Sequence, residues 1–113
     1  MSFEAYLGFT GPTATVFLSG ELTDARVPTL RTLLDQAVQR PLNRLVIRMY
    51  ELASISTAGV RCLAFTQQHL PQGVDIVLDG PSEAIQRVLR ASGFDQAVTV
   101  VQETLTFAGE AAA

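Results

Sequence analysis

The spacing of apolar positions predicts five short strands along the chain. The five segments are rich in β-branched, aromatic and aliphatic residues, a composition that is typical of strands. The third segment is a nearly continuous apolar run, as expected for a central strand covered on both faces. The strands are predicted at residues 1–9, 13–19, 45–52, 74–78 and 97–101.

Helical spacing of apolar residues predicts a helix in each interval after the second strand. Before the first helix, residues 19–24 are predicted to form a loop, whose Asp24 is expected to accept N–H groups at the start of that helix. Pro41 is expected to end the first helix. Its apolar stripe consists of Leu30, Leu33, Leu34 and Ala37.

The other helices are bounded by clear start and stop signals. The second is predicted over residues 57–70, where Pro71 and Gly73 end it. The third is capped by Ser82 and ends at Gly93, a residue suited to the left-handed C-terminal position. A last short helix is predicted over residues 104–110. The apolar stripe of the third helix consists of Ile85, Val88 and Leu89.

This order of elements predicts an α/β fold with a mixed sheet of about five strands and three to four helices. Strands separated by single helices pair in parallel through right-handed crossovers. Gly11 and Pro12 join the first two strands in a short turn, which predicts an antiparallel hairpin at the sheet edge. We expect a single domain over residues 1–113, with a frayed tail at about 109–113. The pattern leaves the strand order open.

Charge and composition narrow the classes of partner. The net charge is −3, and the eight Lys and Arg residues do not cluster, which argues against nucleic acid as a partner and against a polybasic membrane anchor. The single cysteine, Cys62, excludes an intramolecular disulfide and fits a reducing cytosol. No apolar run reaches the length of a membrane span, and the N-terminus lacks a secretory signal pattern. We therefore expect a cytoplasmic protein without direct membrane insertion.

The chain carries few signals of catalysis. His69 is the only histidine, so no histidine pair can bind a metal ion, and it lies about three helical turns from Ser56 on the same predicted helix. Cys62 lies inside that helix, where a small core residue is expected. No phosphate-cradling, dinucleotide-binding or Cys-x-x-Cys motif is present. We expect no enzyme activity, no metal and no cofactor. Four aspartates are expected to be surface charges: Asp35, Asp75, Asp79 and Asp95.

The most informative stretch is residues 54–60, the turn between the third strand and the second helix. Ser56 and Thr57 place two hydroxyl groups at the predicted N-terminus of this helix. The backbone N–H groups there lack partners, and the helix dipole adds partial positive charge. A hydroxyl in this position can either cap the helix, which contributes about 1 kcal/mol, or carry a phosphate. Chemistry alone favours the cap.

Residues 55–61, Ile-Ser-Thr-Ala-Gly-Val-Arg, resemble the signature of STAS domains. They are most similar to the bacterial anti-sigma factor antagonists, which carry Asp-Ser-Ser-Gly-Leu or Ser-Ser-Ala-Gly-Leu-Arg here. Three further segments resemble the family in the same order, so that the likeness covers nearly the whole chain. They are residues 18–22, residues 28–31, and residues 80–89 with 92–95.

The resemblance implies a binding protein that is switched by phosphorylation. In the family, the second residue of the signature is phosphorylated by a partner kinase; this is Thr57 here, with Ser56 as the alternative. The unmodified domain docks on an anti-sigma factor that is also a serine/threonine kinase, and a phosphatase resets the phosphorylated form. Related domains are often monomeric when free, and we expect the same here. The implied contact surface consists of Gly20, Glu21, Thr23, Asp24, Ser54, Ser56, Thr57, Ala58, Gly59 and Arg61.

The chain also departs from the family pattern. Relatives often carry aspartate at the positions of Thr23, Arg48 and Ser56, so three acidic positions are missing around the proposed switch. This departure favours a non-switching STAS docking subunit, for example in a lipid-transport ABC complex or a signalling complex, with Thr57 only a helix cap. The intact Ser-Thr-Ala-Gly-Val block favours the switch. Nucleotide binding, suggested for some relatives, has no support here beyond one helix N-terminus.

Overall fold

The computed structural model describes residues 2–102 and contains the predicted alternation of strands and helices. The predicted last helix at residues 104–110 and the tail at 109–113 lie outside the described residues. Two short 3-10 turns accompany the regular elements. The elements are β1 (Phe3–Thr10), β2 (Thr13–Leu22), a 3-10 turn (Asp24–Arg26), α1 (Val27–Val38), β3 (Arg44–Ile55), α2 (Thr57–His69), β4 (Asp75–Asp79), α3 (Glu83–Ser92), a second 3-10 turn (Phe94–Gln96) and β5 (Thr99–Val101).

The strands form one mixed sheet in the order β1-β2-β3-β4-β5. β1 pairs antiparallel with β2, and the remaining pairs are parallel. This confirms the predicted fold class and supplies the strand order that the pattern left open. Because each crossover moves to the next strand in the same direction, right-handed connections place α1, α2 and α3 on one face of the sheet.

The core lies between this face of the sheet and the helices. Alternate residues of β3 are fully buried beneath the helices, namely Leu45, Ile47 and Met49, whereas Arg48 between them reaches the opposite face and is partly exposed. The predicted helical stripes are buried too, through Leu34 in α1 and Leu89 in α3. The apolar spacing of the sequence therefore identified the core face of each element.

The structure corrects the predicted loop at residues 19–24. β2 continues to Leu22 and β3 continues to Ile55, and these two residues are opposite each other in the parallel register. Irregularities in the β2–β3 pairing accompany the extension, and Gly20 within it has a φ of +86°. A Cβ atom on Gly20 would clash with the Ser2 carbonyl, so only glycine fits there. Glycine and polar residues are unfavourable in strands by propensity, but pairing with the long β3 outweighs that preference.

Start and stop signals of the helices are confirmed with one exception. Ser82 Oγ accepts a hydrogen bond from the Ile85 N–H at 3.2 Å, and Gly93 adopts the left-handed conformation with φ +79°. The expectation that Asp24 caps α1 is wrong, because Asp24 belongs to a separate 3-10 turn and Arg26 occupies the N-cap of α1. None of the helices within residues 2–102 is long and apolar enough to cross a membrane.

Candidate functional site

The predicted contact segments meet where β2 and β3 end. Parallel pairing places Glu21 opposite Ser54 and Leu22 opposite Ile55. The Ser56 N–H then donates to the Leu22 carbonyl at 2.9 Å, which fixes the start of α2 against the end of β2. The 3-10 turn Asp24–Arg26 also contacts α2. Residues 20–24 and 54–61, which are far apart in sequence, therefore lie together at one end of the sheet.

Ser56 is the N-cap of α2. Its backbone is extended (φ −79°, ψ 164°), and its Oγ accepts a hydrogen bond from the Gly59 N–H at 3.1 Å. The Ser56 carbonyl accepts the first intrahelical bond, from the Val60 N–H at 3.1 Å. Both interactions are those of an N-cap serine, so the Ser56 hydroxyl is committed to satisfying a helix N–H group.

Thr57 is the first residue of α2, and its side chain is exposed to solvent. The side-chain hydrogen bonds found within residues 2–102 do not involve its hydroxyl. No acidic residue lies in the first turn of α2. The interpretation of Thr57 as a helix cap is therefore wrong, since Ser56 performs that role. The Thr57 hydroxyl stands in the positive end of the helix dipole and is accessible from solvent.

Gly59 lets α2 approach the strand ends closely. It is buried, and a Cβ atom at this position would lie 2.9 Å from Ile55 Cγ1 and 2.9 Å from Leu22 Cδ2. Such distances are too short for carbon atoms in van der Waals contact. The glycine in the Ser-Thr-Ala-Gly-Val block is thus explained by packing of the first turn of α2 on the ends of β2 and β3.

The remaining residues of the predicted contact surface differ in accessibility. The exposed ones surround Thr57, whereas the others are partly covered by neighbouring strands and by α2 itself. Thr23, Asp24, Ser54 and Arg61 are exposed, and Gly20, Glu21, Ser56 and Ala58 are half-buried. The exposed part of this surface thus carries hydroxyl groups, the Asp24 carboxylate and the Arg61 guanidinium group.

The contacts of Asp79 with Tyr50 and Arg48 were not predicted from the sequence. Asp79 was expected to be a surface charge, but it is only 1% exposed, so that expectation is wrong. Its carboxylate accepts a hydrogen bond from the Tyr50 hydroxyl at 2.7 Å, and its Oδ2 lies 3.4 Å from Arg48 Nε. Asp79 and Arg48 are register partners on β4 and β3. The sequence did contain a signal: Arg48 and Asp79 have opposite charges, and each lies in or at the end of an apolar strand segment.

Arg48 lies far from Thr57. Arg48 and Ile55 are seven positions apart on β3, a distance of roughly 23 Å along an extended strand. The interpretation that three acidic positions are missing around the switch is therefore wrong for this position. Arg48 instead contacts the buried Asp79.

Neither His69 nor Cys62 is arranged for chemistry with Ser56. His69 lies at the opposite end of the 13-residue α2, stacks on Phe65 and has its Nδ1 2.8 Å from the Phe65 carbonyl. Cys62 is buried, and burial raises the pKa of its thiol above the usual value, although Arg31 opposes this effect. Across residues 2–102, no group of three or more His, Cys, Asp and Glu side chains could hold a metal ion.

Comparison with known proteins agrees with this geometry. A crystal structure of an anti-sigma factor antagonist from Mycobacterium paratuberculosis has a TM-score of 0.83 at 20% identity, covering 89% of this chain and 86% of that one. The anti-sigma factor antagonist SpoIIAA in its unphosphorylated form has a TM-score of 0.76 at 20% identity, covering 97% and 98%. SpoIIAA from Bacillus in its phosphorylated form has a TM-score of 0.69 at 21% identity, covering 92% and 96%. At these identities the likeness establishes the fold.

One of two sequence comparisons identifies the family. A search of curated proteins gives no match. The family profile described as "STAS domain" matches residues 7–108, which is most of the chain. The chain belongs to the STAS domain family.

Proposed function

We propose that the protein is an anti-sigma factor antagonist that is switched by phosphorylation of Thr57. In its unmodified form it binds a kinase-type anti-sigma factor through the surface around the N-terminus of α2. The kinase transfers a phosphate from ATP to Thr57, the complex dissociates, and a phosphatase restores the binding form. The protein acts in this scheme by binding and not by catalysis.

The division of roles between the two adjacent hydroxyl groups supports this proposal. Ser56 is engaged as the N-cap, whereas Thr57 is exposed at the first helical position. Phosphorylation of Thr57 would leave the cap intact, so the helix start is preserved in both states. Phosphorylation of Ser56 would instead convert the oxygen that accepts the Gly59 N–H into a phosphate ester oxygen, and it would place the phosphate on a half-buried side chain.

The physical effect of the phosphate differs between the free and the docked protein. The group adds about −1.5 to −2 charges at pH 7. At the N-terminus of α2 the free protein tolerates this charge, because the dipole and the absence of acidic residues in the first turn favour it. In a docked interface the same group is bulky and strongly hydrated. A loss of ~3 kcal/mol of binding free energy weakens a complex by about two orders of magnitude.

The aspartates missing at Thr23 and Ser56 leave the non-switching docking subunit as the alternative. Incubation of the purified protein with a kinase-type anti-sigma factor of the same cell and ATP separates the two functions. We expect one phosphate by intact mass, located on Thr57 by peptide mapping and absent from Thr57→Ala. A folded protein that binds the anti-sigma factor without accepting phosphate would support the docking subunit and reject the switch. Phosphate on Ser56 would reject the assignment to Thr57.

A further inference from the structure

A groove with a volume of about 480 Å³ runs beside α2, starting at Thr57. One wall is formed by α2, through Thr57, Arg61, Ala64 and Gln68. The opposite wall is formed by residues 92–94, at the C-terminal end of α3, and by Ala97. We call this feature the α2 groove. It continues directly from the surface to which we assigned the phosphorylation switch.

The lining of the α2 groove is mainly apolar. Val60 and Phe94 are almost fully buried and reach it from the core, and Ala64 lines it with a partly exposed methyl group. The groove thus offers apolar surface that small or medium apolar side chains of another protein could cover.

The charge of the α2 groove is opposite to that of the whole protein. The protein has a net charge of −3, but Arg61 is the only charged residue among those of residues 2–102 that line the groove. The N-terminal end of α2 adds partial positive charge near Thr57. Asp95, the acidic residue nearest in sequence to this wall, lines a different cavity together with Gln86 and Arg90. A partner that is complementary to the groove would therefore present a carboxylate beside apolar side chains.

We propose that the α2 groove receives an acidic amphipathic segment of the anti-sigma factor, with a carboxylate of that segment paired to Arg61. This inference rests on the proposed function and extends it, since it assigns the partner's chemistry and a second contact beyond Thr57. Apolar side chains of the segment pack against Val60, Ala64 and Phe94.

The same arrangement gives Arg61 a part in the switch. Thr57 and Arg61 are four residues apart on α2, so their Cβ atoms are about 5–6 Å apart on one face of the helix. A phosphate on Thr57 can accept charge-assisted hydrogen bonds from the Arg61 guanidinium. The partner's carboxylate then faces a phosphate and has lost its cationic partner. Phosphorylation thus reverses the charge of the groove at its Thr57 end.

Charge-reversal variants test the groove directly. Arg61→Glu and Ala64→Asp place negative charge in the groove, and Arg87→Glu is the matched control, because Arg87 is exposed on α3 and does not line the groove. Calorimetric titration with the unphosphorylated protein should show that each groove variant binds the anti-sigma factor about tenfold more weakly or worse, while Arg87→Glu stays within about twofold of the wild type. Thermal unfolding of each variant checks that it is folded.

The outcomes separate this inference from the proposed function. If the wild type binds and is phosphorylated on Thr57 but the folded groove variants bind equally well, the groove is overturned and the switch stands. If the wild type binds no kinase-type anti-sigma factor, both are overturned. If Arg87→Glu weakens binding as much as Arg61→Glu, the effect comes from net charge and the groove is again overturned.

A second experiment tests the link between Thr57 and Arg61 without any partner. Phosphothreonine is incorporated at position 57 during synthesis of the full chain, and its second ionisation is followed by ³¹P NMR. The pKa of the phosphate should be lower in the wild type than in Arg61→Gln, because the guanidinium stabilises the dianion. Asp24 and Arg26 of the 3-10 turn that contacts α2 are present in both proteins, so the difference reports Arg61 alone. Identical titrations would overturn the proposed pairing.

Discussion

Ser56 and Thr57 are neighbours with similar chemistry, but the backbone gives them different roles. The extended conformation of Ser56 turns its hydroxyl toward the Gly59 N–H, whereas Thr57 is already helical and exposed. From the sequence, both hydroxyl groups could be placed at the start of the helix. Which of them is the cap could not be predicted, since a shift of one residue in the helix start would exchange their roles.

Alanine substitutions at these two positions should therefore differ in their effect on stability. Ser56→Ala removes the side-chain acceptor for the Gly59 N–H and should lower the free energy of unfolding by about 1 kcal/mol. Thr57→Ala should change it by less than about 0.5 kcal/mol, because an exposed side chain at the first helical position is removed. Urea denaturation of both variants gives the comparison. Equal losses, or a larger loss for Thr57→Ala, would contradict the assignment of the cap.

Gly59 is the residue on which the close approach of α2 depends. Alanine in a helix is normally preferred over glycine by up to about 1 kcal/mol, but here its methyl group would press on Leu22 and Ile55, which are both buried. Since overpacking costs about 1–3 kcal/mol, we expect Gly59→Ala to be destabilising on balance. Gly8→Ala is the control, because a Cβ there meets nothing within 4 Å. A Gly59→Ala protein that is more stable than wild type in urea would contradict this packing.

At the scale of elements, the sequence predicted where strands and helices lie but not how far the central strands extend. β2 and β3 run on to Leu22 and Ile55 because they pair with each other, and that pairing joins residues that are more than thirty positions apart. The strand propensity of a segment does not depend on which distant strand it pairs with, so it could not predict these extensions. The error matters for the site, since these extensions are what place the 20–24 segment beside Thr57.

A contact between the buried Asp79 of β4 and the partly exposed Arg48 of β3 joins these two strands, and the sequence pattern did not reveal it. Asp79→Ala removes the carboxylate that Tyr50 and Arg48 contact. We expect it to lower the free energy of unfolding by about 1–2 kcal/mol, mainly because the part-buried Tyr50 hydroxyl loses this acceptor while Arg48 stays partly exposed to water. Asp75→Ala is a matched control, because Asp75 is exposed on the same strand and should change stability by less than about 0.5 kcal/mol. Equal midpoints of urea denaturation for the two variants would refute the structural role of Asp79.

Cys62 lies in α2 with Arg31 of α1 close to its thiol, and its reactivity reports the packing of these two helices. Because burial raises the pKa of the thiol, the thiolate fraction at pH 8 is smaller than for an exposed cysteine. We expect Ellman's reagent to react much more slowly with the native protein than with the protein in urea. A rise in pH from about 8 to 9 should accelerate the native reaction more than that of a free thiol, because the free thiol is already largely ionised in this range whereas Cys62 is not. Reaction of the native protein at the unfolded rate would show that the two helices do not protect Cys62.

At the scale of the whole molecule, the sequence predicted the fold class and the family, while the strand order came only from the structure. Apolar spacing reports which face of an element is buried, but it does not say on which side of an existing strand the next one pairs. The observed order advances by one strand at each crossover, so all three helices of residues 2–102 share one face. This arrangement brings the start of α2 and the ends of β2 and β3 to one end of the sheet, where the proposed contact surface lies.

We propose that a single phosphate on Thr57 controls binding to the anti-sigma factor. The most direct measurement is the dissociation constant of the complex, determined by calorimetry for the unmodified protein and for the same protein carrying phosphate at Thr57. We predict that phosphorylation weakens the complex by about 100-fold or more, with the fold retained by circular dichroism. Equal dissociation constants for the two folded forms would show that phosphate on Thr57 does not control binding.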